Sequence, residues 1–203
     1  MSKVRHGGGG ASNERSTRRD VLAALSAVGA AGVTPSLLPS PAAAEPDSER
    51  PKEGDLFVAQ GGEGSESVVP LKPADIPLGG PPVVAWPFDA AGNVIRKGSR
   101  LNKVLLLRLD PATLEGVTKE RAVEGIVAYS AICPHAGCDV SVWVADQKIF
   151  ECSCHYSHFN PREAAVVLDG PAPRALAALP LRIVDDNLAV AKPFIGRVGI
   201  VPT

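Results

Sequence analysis

Beyond the first quarter of the chain, apolar residues fall into short runs cut by turn formers, not into helical stripes. Val83-Val84-Ala85-Trp86 reads as a strand, with Asp89-Ala90-Ala91-Gly92-Asn93 as the turn behind it. A second run, Val104 to Leu109, stops at Asp110-Pro111, and a third, Gly125 to Ile132, reads as a buried strand. Val140-Ser141-Val142-Trp143-Val144 alternates as a half-buried strand does, Asp146-Gln147 turns the chain, and Lys148-Ile149-Phe150-Glu151 follows. Leu181 to Val184 and Leu188 to Ala191, joined by Asp185-Asp186-Asn187, predict a hairpin. Earlier, Leu56-Phe57-Val58 and Ser67-Val68-Val69 are candidate strands around Gly61-Gly62-Glu63-Gly64, while residues 111–124 suit one short helix or a polar excursion. There is no internal repeat. The pattern predicts an all-β domain of many short strands.

One apolar run is of another kind. Ser16-Thr17-Arg18-Arg19-Asp20 precedes an Ala-rich stretch from Val21 to Val33, then Pro35 and Ala42-Ala43-Ala44. Basic, apolar and small residues in that order make an export signal, and the paired arginines fit the twin-arginine type, which carries proteins already folded. Cleavage after Ala44 is expected, giving a periplasmic protein. The alternative is a retained segment acting as a membrane anchor, although the 13 residues from Val21 to Val33 fall short of the roughly 20 a spanning helix needs. Glu45 to Gly54, rich in Pro, Glu and Lys, reads as a tether. The expected division is a signal over 1–44, a linker and the first strands over 45–78, and one domain over 79–203.

Composition changes this picture little. With 203 residues the chain suits one domain plus an appendage, and 20 Gly and 19 Pro favour turns over helix. A formal net charge of −1 gives no electrostatic footprint for nucleic acid. The first 44 residues carry Lys3, Arg5, Arg15, Arg18 and Arg19 against Glu14 and Asp20, so the remainder is more acidic than the whole. Such a surface suits docking on a basic partner such as a cytochrome.

The chemistry is concentrated in two boxes, Cys133-Pro134-His135-Ala136-Gly137-Cys138 and Cys152-Ser153-Cys154-His155-Tyr156-Ser157. They hold all four cysteines and two of the four histidines; His158 follows and His6 is remote. Two thiols and two imidazoles can ligate zinc or an iron–sulfur cluster. A zinc site would leave Cys138 and Cys154 unexplained, and two plain disulfides would leave the histidines free. His158 reads as an exposed polar residue, Trp86 and Trp143 as core, and Asp185-Asp186 as a turn. Beyond the boxes there is no nucleophile or acid–base pair, so the chain alone is expected to have no substrate turnover.

The Cys-x-His and Cys-x-x-His spacing resembles the Rieske [2Fe-2S] family. The resemblance implies a Rieske-type antiparallel β-sandwich with a small inserted cluster-binding subdomain at about 131–175. It implies Cys133, His135, Cys152 and His155 as metal ligands, thiolates on one iron and imidazoles on the other. Neutral histidine ligands place such potentials at about −150 to +300 mV, against about −400 mV for all-cysteine plant-type clusters. By position, Cys138 and Cys154 would form the disulfide that bc-complex Rieske proteins have, which the export signal's oxidising destination permits. Around the cluster, Gly137 permits a tight loop, Ser157 matches the serine that donates to a cluster sulfide, and Phe159 stands where high-potential members have tyrosine. Pro171, in Gly170-Pro171-Ala172-Pro173, matches the family's shielding proline loop. That loop and Pro73-Ala74-Asp75-Ile76-Pro77 look like the Rieske subunit of quinol–cytochrome c oxidoreductases. Ile126 to Ser130, His155-Tyr156-Ser157 and Phe194-Ile195-Gly196-Arg197 look like the small subunit of arsenite oxidase. The resemblance thus implies an electron-transfer subunit whose partners are a cytochrome b or c, or a molybdenum subunit, with quinol as a further candidate donor.

Overall fold

In the computed structural model the described residues are 45–61 and 68–200. The chain divides into two units at Ala42/Ala43, and all described residues belong to the second. The signal read over 1–44 lies outside them, as do Ser67 and the Gly62-Glu63-Gly64 stretch.

Seven strands form the first sheet: β1 (Leu56–Ala59), β2 (Val83–Asp89), β3 (Val94–Ile95), β4 (Val104–Arg108), β5 (Ile126–Ser130), β10 (Leu181–Val184) and β11 (Asn187–Val190). Their order is β10-β11-β1-β2-β4-β5, with β3 on β2, and all pairs are antiparallel. The segment leading into β10 also bonds the far edge: Ser130 N–H donates to Ala177 O (2.8 Å) and Leu179 N–H to Ala128 O (2.9 Å). The sheet therefore curls round on itself, and the β5 edge is covered. A second antiparallel sheet, β6 (Val142–Val144), β7 (Ile149–Cys152), β8 (Ser157–Asn160) and β9 (Val166–Asp169), is built wholly from chain between β5 and β10.

The continuous apolar runs of β4 and β5 have a physical reason. Successive strand residues point to opposite faces, and here both faces are buried. Val104 and Leu106 with Ile126 and Ala128 face the core lined by Phe57, Leu179 and Leu188. Leu105 and Leu107 with Val127 and Tyr129 face the core shared with the second sheet, which contains Phe150, Phe159, Cys133 and Cys152. A strand buried on both faces loses its alternation.

Apart from Ser67-Val68-Val69, the predicted strands are present, with β2 longer than expected. Residues 111–124 contain a 3-10 turn (Pro111–Thr113) and one short helix, α1 (Val117–Arg121). Three strands escaped the pattern: β3, β8 and β9. Val68 and Val69 are not in a strand. The tether reading of 45–54 also differs from the structure, because Arg96, 1% exposed, grips that stretch. Its guanidinium donates to both oxygens of buried Asp55 (2.7 and 3.1 Å), to Glu49 (2.9 Å) and to Pro46 O (3.0 Å). Buried Asn102 adds a bond to Glu49 O (2.6 Å). The charges and prolines of this stretch are partners for a buried cation, which composition alone could not reveal. Among the described residues no helix is long and apolar enough to cross a membrane.

Tyr129 pins the two sheets together. Its hydroxyl donates to Pro161 O at 2.9 Å, and its ring meets Phe150 edge-on at 6.2 Å. Burial raises its pKa from 10.0 to about 12, against smaller pulls from Thr118 and Arg121. The unfolded phenol therefore ionises first. Its contribution to stability is complete below pH 10 and falls by roughly 3 kcal/mol toward pH 12. Tyr129→Phe should cost about 1 kcal/mol at neutral pH and flatten that part of the alkaline slope. Urea denaturation across pH 7 to 11 checks this; parallel curves for the two proteins would refute it.

Candidate metal centre

Each box is a loop closed by backbone bonds before any metal is considered. β5 continues through Ala131 and Ile132, and Ile132 pairs with Asp139 across the first loop. Inside it, Cys133 N–H donates to Cys138 O (2.8 Å) and Gly137 N–H to Cys133 O (3.0 Å). Gly137 takes a φ of +73°, a region open to glycine at little cost. The second loop is the β7–β8 turn: Cys152 and Ser157 are cross-strand partners, and Tyr156 N–H donates to Cys152 O (2.9 Å).

The loops meet. Cys138 and Cys154 are joined in a disulfide, and the Cys152 Sγ lies within 4.8 Å of both its sulfurs. Cys133 and Cys152 are free thiols, each 1% exposed. His135 is half-buried and His155 exposed, their rings 4.5 Å apart and nearly perpendicular. The His135 Nδ1 is buried with no hydrogen-bond partner among the described residues. Burial pushes the Cys133 thiol up; N–H groups of His135 and Ala136 oppose this, and neighbouring Cys152 adds to it. Two buried thiols, an orphaned imidazole nitrogen and a second imidazole beside it form a donor set that fits a Rieske-type [2Fe-2S] cluster.

A third segment closes over the loops. β9 ends at Asp169, and Gly170 follows at φ +89°. A Cβ at Gly170 would stand 2.5 Å from Ser157 Cα and 2.7 Å from Tyr156 O, so only glycine lets the strand end lie on the second box. The Ser157 Oγ, itself buried, accepts from Ala172 N–H at 3.1 Å and so holds the proline loop. That bond leaves the hydroxyl proton free to donate elsewhere. Pro171 is exposed on the loop's outer side. Phe159, fully buried, lies across from Phe150 in the core that contains both thiols.

His158 belongs elsewhere: its Nε2 meets Glu151 at 2.8 Å, a cross-strand pair. Sequence reasoning missed four residues that brace the loops. Arg100 bonds Gly137 O and Asp139, Lys103 bonds Asp139, and Arg174 donates to Gly199 O. Their partners lie 25 to 39 positions away, so no local pattern signals them.

An all-β protein with a disulfide-joined pair of Cys/His loops is an iron–sulfur protein of the two-loop type. The Rieske [2Fe-2S] domain family matches residues 111–180. The cytochrome bc1 complex Rieske iron-sulfur subunit of Streptomyces lividans is 32% identical over 124 residues, covering 58% of this chain and 71% of that one. Its counterpart in Mycobacterium bovis is 32% identical over 161 residues, 71% of this chain and 37% of its own. Among solved structures, the plasma membrane Rieske protein of Synechocystis PCC 6803 is 23% identical, covering 54% of this chain and 84% of that one, with a TM-score of 0.35. The chain belongs to the Rieske [2Fe-2S] family, in its disulfide-containing branch, and is homologous to the Rieske subunits of cytochrome bc1 complexes. It spans 37% of the length of the mycobacterial relatives.

Gly170→Ala should lower stability by about 1–3 kcal/mol, as overpacking does, and loosen the proline loop from the second box. Thermal denaturation checks the first effect, and proteolysis near residue 170 the second. An unchanged melting temperature would contradict the close contact.

Proposed function

We propose that this chain is an exported one-electron carrier, the Rieske subunit of a cytochrome bc1-type respiratory complex. The observation that carries the reading is the sorting of donors, two thiols buried and two imidazoles toward the surface, across a disulfide clasp. Cys133 and Cys152 would hold one iron, and His135 and His155 the other. A [2Fe-2S] cluster bound there supplies reversible one-electron transfer at a potential above that of all-cysteine clusters.

The chain's own residues do the rest. Burial of both sulfurs keeps water from the thiolate side. With the His135 Nδ1 turned inward, Nε2 is left toward solvent, where a donor's hydroxyl can bond to it and pass its proton. The Ser157 hydroxyl proton is free for a cluster sulfide, which would raise the potential. Phe159 has no hydroxyl to add a second such bond, which keeps the potential below that of members with tyrosine there. Gly137 and Pro171 shape the loops on either side. The reading of a Rieske domain over 79–203 with a cluster-binding part at about 131–175 is supported by the second sheet and the boxes lying between β5 and β10, with β1 (Leu56–Ala59) added to the domain's sheet from the linker.

Homology supports cytochrome b and c partners, and quinol is the donor this reading proposes. The twin-arginine segment supports export to the periplasm, and a retained segment would add a membrane attachment. The His155-Tyr156-Ser157 run keeps a second reading, a small subunit for an arsenite oxidase-like molybdoenzyme. Co-purification from native membranes and periplasm separates the two: a cytochrome b supports the first, and a molybdenum subunit replaces it with the second.

Purified protein should contain equimolar iron and acid-labile sulfide, and Cys133→Ser or His155→Ala should lose both while the clasp stays intact. Zinc in place of iron would end the cluster reading. The oxidised centre should release protons that the reduced centre binds, so the potential should fall as pH rises above neutrality. A potential flat from neutral to alkaline pH would exclude histidine ligation.

A further inference from the structure

We infer that Arg100, Asp139 and Lys103 form a positioning clamp on the first box that helps set the reduction potential of the centre, an inference that rests on the cluster reading above. Arg100 is more than half exposed, yet both terminal nitrogens of its fork are engaged. Nη1 donates to Gly137 O and Nη2 to Asp139 Oδ1, both at 2.7 Å. Lys103, largely buried, takes the other oxygen of Asp139 at 2.6 Å and lies 5.5 Å from the Trp86 ring centre. The Lys103 carbonyl also accepts from Ala131 N–H (2.9 Å), two residues before Cys133. The clamp therefore grips both ends of the first box.

Its base is rigid. Arg100 begins the 3-10 turn Arg100–Asn102, and the Asn102 side chain is fully buried, donating to Arg96 O (3.1 Å) and Glu49 O. The clamp thus stands on the buried Arg96 network. Partial burial alone would push the Asp139 carboxyl up, but Lys103 and Arg100 outweigh it and hold it below the usual carboxylate range. It stays a charged acceptor for both donors.

The route from clamp to centre is geometric. Tying Gly137 O fixes the Gly137–Cys138 peptide at the left-handed glycine and keeps the Gly137 N–H on Cys133 O. That closure, with Cys133 N–H on Cys138 O, fixes the stretch of backbone from Cys133 to Cys138 that carries His135 and the N–H groups nearest the Cys133 sulfur. Backbone N–H dipoles aimed at a ligand sulfur raise the potential of an iron–sulfur centre. A loosened clamp would let this backbone turn away from the Cys133 sulfur and lower it.

A rival explanation is charge alone, and three substitutions separate it from positioning. Arg100→Met removes a positive charge, Asp139→Asn removes a negative one, and Arg100→Lys keeps the charge but cannot span both acceptors. Through-space charge predicts a fall, a rise and no change, respectively, each fading with added salt. The clamp predicts a fall in all three that persists at high salt, with an altered electron paramagnetic resonance spectrum of the reduced protein. Redox titration of the purified full chain reads this out, with iron content measured alongside. Absence of iron from the wild type would sink the cluster reading itself. Full iron with Arg100→Lys at the wild-type potential, or with Asp139→Asn shifted upward, would overturn the clamp. Arg100→Lys and Asp139→Asn are the mild changes, so the comparison survives if Arg100→Met fails to fold.

Discussion

The Cys138–Cys154 bond is the constraint around which the site is arranged. It joins the tips of two loops, one following β5 of the curled sheet and one between β7 and β8 of the smaller sheet. Closing a loop of this length takes about 3 kcal/mol of freedom from the unfolded chain in an entropic account. Its larger effect is local. With Cα atoms 6.5 Å apart, the two loop tips cannot separate, so the two histidines stay face to edge and the two thiols stay beneath them. Each backbone bond inside the loops then acts on an already paired arrangement.

That pairing requires both sheets to present their loops at one end, and the double burial of β4 and β5 provides it. Leu105, Leu107 and Tyr129 serve the core under the loops, while Leu106, Ile126 and Ala128 serve the curled sheet behind. The two thiols are members of that forward core. The site is therefore part of the packed interior on its sulfur side, and the proline loop, held by Ser157 and Gly170, extends the cover around it.

The boxes were legible because their chemistry is local: ligand spacing is written within six residues, and cysteine occurs nowhere else. The long apolar strands were legible for a related reason, since burial on both faces leaves an uninterrupted run. What escaped depended on distant partners. The sequence Ser-His-Phe-Asn of β8 carries no strand pattern, because Ser157 is buried by the proline loop and His158 is paired with Glu151. Arg100 and Asp139 look like ordinary surface charges until the fold brings them together. Residues 45–54 look like a tether for the same reason, with their anchor, Arg96, 47 to 50 positions from Glu49 and Pro46.

That anchor has a mechanical meaning. Pro46, Glu49 and Asp55 are fastened to one buried guanidinium, and Asn102 beside it is fastened to Glu49. A pull on the chain at residue 45 is therefore taken up as load on Arg96, well before it reaches either box. The first point of the fold to bear such a load is a buried ion pair, and because Asn102 and Arg100 stand on it, it is also the point from which tension would pass to the first box.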